Sequence, residues 1–189
     1  MIKRYEKFLE KFDQKLEDYF SLHKDFIKCK KGCTACCEVG EYPFSRLEAE
    51  YIMFGFQTLP QKLRTLVKNN ISELKKIKLE QNGKRFDYRC PFLVEKTCVL
   101  YKYRGLVCRT FGLAYVADGV VKLPECANFG LNYSEIFDPE TSEITLSNPI
   151  EEDLRIDKIF QSDLAKGYEL EHGEIRRLID WFTTPFDSD

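Results

Sequence analysis

Residues 29–37 read Cys29-Lys30-Lys31-Gly32-Cys33-Thr34-Ala35-Cys36-Cys37, four thiols within nine residues. Sulfurs this close in one loop can converge on a single soft cation, and each thiolate that binds gives up a proton. Four more cysteines follow at Cys90, Cys98, Cys108 and Cys126, with gaps that only tertiary folding can close. The fold is therefore expected to be organised around a loop-rich cysteine core. Eight cysteines in 189 residues is about 4%, below the roughly 8–10% of a secreted disulfide scaffold. The first residues run straight into alternating charged and apolar side chains, with neither an apolar signal core nor a stretch long enough to span a membrane. The expected compartment is the cytoplasm, where thiols stay reduced and a cysteine cluster reads as a metal site.

Outward from this loop, the apolar positions Ile2, Tyr5, Phe8, Leu9, Phe12, Leu16, Tyr19, Phe20, Phe26 and Ile27 follow the spacing of an amphipathic helix over residues 2–27. Its aromatic stripe is a core face, and a protein partner docked on this helix is the alternative use. Ser45 with Glu48 three residues on predicts a capped helix over 45–54. Pro60 opens a longer helix along Leu63, Leu66, Val67, Ile71, Leu74 and Ile77, closed by Asn82-Gly83. Short aromatic and β-branched pieces then run from 86 to 123, with Asp118-Gly119 marking a hairpin between 113–116 and 120–123. Residues 134–150 read as mostly loop, and two helices are expected over 153–168 and 173–182, with Glu151, Glu152 and Asp153 as helix-start charges. The expected class is α+β, helix-dominated, with one small antiparallel sheet among helices. The expected division is an N-terminal helix (1–28), a cysteine-cluster domain (29–132) and a helical extension (133–189).

The 29 basic and 31 acidic side chains leave a net charge of -2, so the positive field that nucleic-acid binding needs is missing. Only His23 and His172 are present, which removes the histidine-rich sets of zinc hydrolases. His23 is expected on the polar face of the first helix, with a spare metal ligand as the alternative; His172 beside Gly173 reads as a helix start. Lys28, Lys30, Lys31, Arg89, Arg104 and Arg109 flank cysteines. Each lysine reads as part of a solvated face, whereas Arg104 and Arg109, bracketing Cys108, are expected to hydrogen-bond around a metal site and offset its negative charge. Cys29, Cys33 and Cys36 match the C-x3-C-x2-C spacing of radical enzymes that use S-adenosylmethionine, but no run of βα units follows and that fold is not expected.

Taken together, Cys29-x3-Cys33-x2-Cys36-Cys37, Cys90-Pro-Phe-Leu, the block Thr97-Cys98-Val99-Leu100-Tyr101-Lys102-Tyr103-Arg104-Gly105-Leu106-Val107-Cys108-Arg109, and Cys126 resemble the YkgJ-like cysteine-cluster family of zinc- or iron-chelating domains over roughly 29–132. Gly105 stands where that family often has proline, and the opening gap is three residues where many members have two. The resemblance implies a cytoplasmic metalloprotein that holds an iron–sulfur cluster or zinc through its cysteines, with the iron–sulfur cluster favoured because flagellin lysine N-methylases look similar over the same block. Two further readings follow. One is a cluster-dependent enzyme carrying out methyl transfer linked to S-adenosylmethionine, or electron transfer, with Tyr101, Arg104 and Arg109 lining the approach. The other is a structural zinc module for protein interaction. All eight cysteines are candidate ligands, and no catalytic residue is assigned.

Overall fold

A computed structural model describes the chain except residues 31, 83, 85, 139, 142, 145–149 and 184–189. Lys31 and Gly83, singled out above, lie outside the described residues. Of these, 51% are helical and 11% are in strands, and every described strand belongs to a two-stranded antiparallel sheet. This is the helix-dominated α+β class that the sequence predicts. The chain gathers into two compact units, one built mainly from Lys3–Cys33 and Arg109–Leu170, the other from Thr34–Cys108 and Glu171–Asp189.

In the first unit the opening helix, Ile2–Leu22, buries Tyr5, Phe8, Leu9, Phe12 and Leu16. The rings of Tyr5, Phe8 and Phe12 stack in sequence, and Phe160 closes on Tyr5 and Phe8 at 6.2 Å. The helix stops five residues short of the expected end. His23 is followed by a 3-10 turn, Lys24–Phe26, that carries Phe26 and Ile27 to a second cluster around Ala114, Tyr133 and Ile150. Tyr133 N–H donates to the Phe26 carbonyl (2.8 Å) and fixes that turn. The hairpin forms as expected, pairing Tyr115–Ala117 with Val120–Lys122; Asp118 and Gly119 both adopt positive φ, the turn geometry that matches strand twist.

The helix expected over 153–168 divides into Ile156–Gln161 and Asp163–Lys166. Ser162 is responsible: its backbone is extended and its hydroxyl accepts from Ala165 N–H, ending one helix and capping the next. Glu151, Glu152 and Asp153 therefore do not start a helix. Glu152 pairs with Lys15 of the opening helix (2.9 Å), and Asp153 binds the Arg155 guanidinium.

In the second unit Ser45 and Glu48 form the predicted capping box of the helix Arg46–Gln57. Pro60 stands at the N-cap position of the longer helix, Gln61–Glu80, which begins one residue later than expected. Phe44, Ala49, Ile52, Phe56, Val67, Phe92, Leu100, Leu178 and Trp181 form the core. The helix expected over 173–182 is mostly absent. Ile175–Arg177 is instead a strand paired with Pro43–Ser45, and only Asp180–Thr183 is helical. Leu178 N–H donates to Tyr42 O (3.0 Å), and the Trp181 indole donates to Phe44 O (2.9 Å). Those bonds bury Leu178, Ile179 and Trp181, so the apolar spacing was satisfied without a helix. His172, expected at a helix start, instead accepts a hydrogen bond at its carbonyl from Leu47 N–H (3.1 Å). Lys78, buried, reaches both Glu41 (3.3 Å) and Asp180 (3.2 Å), and Arg177 also binds Glu41.

Candidate metal centre

The second unit gathers Cys36, Cys37, Cys90, Cys98 and Cys108. Cys36 and Cys37 sit on the short helix Ala35–Glu38 with their sulfurs 3.8 Å apart. A backbone bond from Cys90 N–H to Cys37 O (2.8 Å) ties this turn to Cys90. Cys98 lies on the hairpin of Leu93–Val94 with Thr97–Cys98, whose turn residues Glu95 and Lys96 both have positive φ. Non-glycine residues make this turn, so the usual Asn-Gly or Asp-Gly signal is missing from the sequence.

Cys108 is carried by the helix Leu106–Thr110, whose start is set by a residue far away in the chain. Glu48 is fully buried; besides accepting from Ser45 N–H and Oγ, it accepts from Leu106 N–H at 2.6 Å. The carboxylate at the beginning of one helix thus caps another. A Cβ on Gly105 would lie 2.6 Å from the Phe44 ring and 2.7 Å from Glu48 Oε1, so this chain needs glycine there.

Electrostatics link four of these thiols completely. The charge of Cys90 would be felt by Cys108, that of Cys98 by both Cys90 and Cys108, and that of Cys37 by all three. Burial against the core pushes the Cys90 thiol up to about 12, although N–H groups of Phe92 and Leu93 point at its sulfur. Burial likewise raises Cys98 and pushes Cys108 well above the ordinary thiol range. Cys37 is the exception, lowered to about 7 by its hydrogen bond with Cys36 and, after burial opposes this, by the positive charge of Arg104. Arg104 also favours the charged forms of Cys98 and Cys108. Its guanidinium stacks 3.6 Å above the exposed Tyr101 ring and donates to the carbonyls of Tyr101 and Cys108.

The first unit gathers Cys29, Cys33 and Cys126. Cys29 and Cys33 are exposed, and burial followed by the charges of Cys29 and Cys33 pushes the buried Cys126 thiol up. Asn132, fully buried, connects the pieces: its Nδ2 donates to Cys29 Sγ (3.2 Å) and Gly112 O (2.6 Å), and its Oδ1 accepts from Lys28 N–H (2.8 Å). Neither Asn132 nor Gly112 is flagged by sequence; a buried amide leaves no periodic or spacing signal. Arg109 belongs to this unit and pairs with Asp13. Lys28 pairs with Glu135 (2.7 Å) and, in the second unit, Arg89 pairs with Glu38 (3.0 Å).

His23 is buried rather than on a polar face, lying against the rings of Tyr19 (4.6 Å) and Tyr133 (5.9 Å), and among the described residues neither ring nitrogen has a hydrogen-bond partner. The helix ends at that residue, which turns it inward. The cysteines close in sequence, Cys29 to Cys37, are thus divided at Cys33 and Thr34 between the two units. Among the described residues no three His, Cys, Asp or Glu side chains stand in ready-made ligand geometry; the two sets are defined by mutual electrostatic reach. All-thiolate donors suit zinc and iron alike.

Residues 28–127, more than half of the chain, match the family model described as CxxCxxCC, putative zinc- or iron-chelating domain. The chain belongs to this family. The matched span covers all eight cysteines of both sets, so the family's metal-chelating description applies to the region that holds them. No curated protein and no solved structure matches the chain. Among the described residues no helix is long and apolar enough to cross a membrane.

Proposed function

We propose that this is a cytoplasmic metal-binding protein in which Cys37, Cys90, Cys98 and Cys108 hold one four-thiolate centre, occupied by an iron–sulfur cluster or by zinc. The region 29–132 is its metal-binding part. The observation that carries the reading is that Cys90, Cys98 and Cys108 pack against one core cluster while a backbone hydrogen bond ties Cys90 to Cys37. Cys90, Cys98 and Cys108 are each costly to ionise alone, and a bound cation removes that cost for all three at once. The centre would keep about two negative charges, which Arg104 is placed to offset. The packing of Cys90, Cys98 and Cys108 against core side chains favours a centre closed by protein over one with a position open to substrate.

Anaerobic purification followed by metal analysis and an absorption spectrum tests the proposal. A brown protein containing iron and sulfide identifies a cluster, and a colourless protein with stoichiometric zinc identifies a zinc centre. Either metal should be lost from this centre in Cys90→Ser and Cys98→Ser. A protein that neither carries metal nor takes up iron with sulfide, zinc or cobalt on reconstitution would overturn the proposal.

A further inference from the structure

We propose that the first unit carries a docking groove for a basic amphipathic helix of a partner protein. The groove, about 780 Å³, lies between the second half of the opening helix and residues 152–164. Its lining residues all fall outside the matched span 28–127, so the inference is independent of the metal reading. Phe12, Leu16, Tyr19 and Leu22 line it from the opening helix, a spacing of three or four residues that forms one continuous face. Leu154 and Leu164 line it from the other side. Tyr5, Phe8 and Leu9 are consumed by the core, whereas Leu22 at the end of the groove stays 54% exposed. The walls are fixed before any partner arrives, which lowers the ordering cost of binding. Lys15 joins them by pairing with Glu152 (2.9 Å), Tyr19 Oη donates to Ala114 O (3.2 Å), and Val116 N–H donates to Glu152 O (2.9 Å).

Charge names the occupant. The lining holds four carboxylates, on Asp18, Glu152, Asp153 and Asp163, against the two ammonium groups of Lys15 and Lys158. Glu152 is answered by Lys15 and Asp153 by Arg155. Asp163 meets Lys166 at 3.5 Å, with both side chains mostly exposed, a pair that solvent screens. Asp18 has no ion pair among the described residues. Asp18 and Asp163 stand on opposite walls, so a ligand with a single positive head leaves one of them unanswered. An amphipathic helix meets both, with apolar side chains at i, i+3, i+4 and i+7 along the floor and lysines or arginines on either flank. From Phe12 to Leu22 the opening helix rises about 15 Å, the length of about three turns of such a partner.

The test is fluorescence anisotropy of a labelled helical peptide, with a leucine stripe at that spacing and lysine on both flanks, titrated with the full-length protein. One control peptide carries glutamate in place of lysine, and another has the same composition in an order that destroys the stripe. The lysine peptide should bind one per chain, and both controls at least about tenfold more weakly. Asp18→Lys combined with Asp163→Lys should weaken binding by about tenfold or more, and Leu22→Gln by a few-fold. All three positions are exposed, so these changes should leave the fold intact, which circular dichroism checks. A benzoylphenylalanine at the centre of the peptide should crosslink to residues 12–22 or 152–164, read by mass spectrometry. Absence of binding, crosslinks elsewhere, equal binding of the stripeless peptide or undiminished binding in the double variant would overturn the proposal. Octylamine binding that the double variant abolishes, with no peptide binding, would make the groove a site for a small organic cation and refute the helix. A dimer of this chain that Asp18→Lys dissolves, again without peptide binding, would put a second copy there and refute it equally.

Discussion

The two thiol sets solve the same problem in opposite ways. In the second unit Cys90, Cys98 and Cys108 pack against an apolar core, and burial makes each thiol hard to ionise. In the first, Cys29 and Cys33 stand exposed, and the buried amide of Asn132 donates to Cys29 Sγ and Gly112 O. A set that is costly to ionise one thiol at a time gains most from a permanent cation. A thiol held by a hydrogen bond at the surface keeps its place without one. The contrast is between burial and preorganisation as means of holding sulfur in place.

The sharpest break would come from thiol chemistry in the metal-free protein. Cys37 is lowered to about 7 by its hydrogen bond with Cys36 and Cys90 is raised to about 12 by burial, so near neutral pH Cys37 carries far more thiolate than Cys90. Alkylation with iodoacetamide, followed by peptide mass spectrometry, should label Cys37 well before Cys90 and Cys108. Lowering the pH to about 5.5 should slow Cys37 by more than tenfold, because its thiolate is protonated below its pKa. Equal labelling of Cys37 and Cys90 at pH 7 would contradict the burial argument for the second unit.

Glu48 tests what holds the buried set together. Glu48→Ala leaves Ser45 N–H and Leu106 N–H without their carboxylate acceptor in a fully buried place, which should cost about 2–4 kcal/mol by denaturant unfolding. Metal affinity at Cys108 should fall with it, since the helix that carries Cys108 loses its cap. Unaltered stability would mean that the cysteine core does not depend on this link.

The glycines give a matched pair, one in each unit. Gly105→Ala drives a methyl into the Phe44 ring and Glu48, and Gly112→Ala drives one into Cys29 Sγ and Asn132 while also placing alanine at φ +95. Each should destabilise by about 1–3 kcal/mol. Their metal phenotypes should differ: Gly105→Ala should weaken binding that needs Cys108, and Gly112→Ala should leave it unchanged. The reverse, read by metal content, would show that the two sets do not behave as the comparison requires.

What was legible in the sequence was whatever depends on near neighbours. The Ser45 and Glu48 capping box, the Asp118-Gly119 hairpin turn and the aromatic face of the opening helix all form, because residues within a turn or two determine them. Spacing within one loop did not decide which thiols belong together. The chain passes from one unit to the other between Cys33 and Thr34 and joins Cys126 to the earlier pair. Nor could apolar spacing tell a helix from a strand at 175–177. There the deciding partner is Pro43–Ser45, more than a hundred residues away. The second role of Glu48 was hidden for the same reason: the box was visible, and the Leu106 N–H it also accepts was not.

The smallest effect is expected at the surface of the first unit, and it tests whether preorganisation there is local. Arg4 and Glu169 pair at 2.8 Å, with side chains 46% and 83% exposed. Such a pair is screened and must hold two flexible side chains in one geometry, so Glu169→Ala should change stability by less than about 0.5 kcal/mol. The opening helix is held instead by the stack of Tyr5, Phe8 and Phe160, where Phe8→Ala should cost about 3–5 kcal/mol. Iodoacetamide should label Cys29 at the wild-type rate in Glu169→Ala, because Asn132, Gly112 and Lys28 make the hydrogen bonds around that thiol. A changed rate from so remote and exposed a change would mean that Cys29 draws its surroundings from the whole unit, and the distinction between a buried set and a locally fastened one would fall.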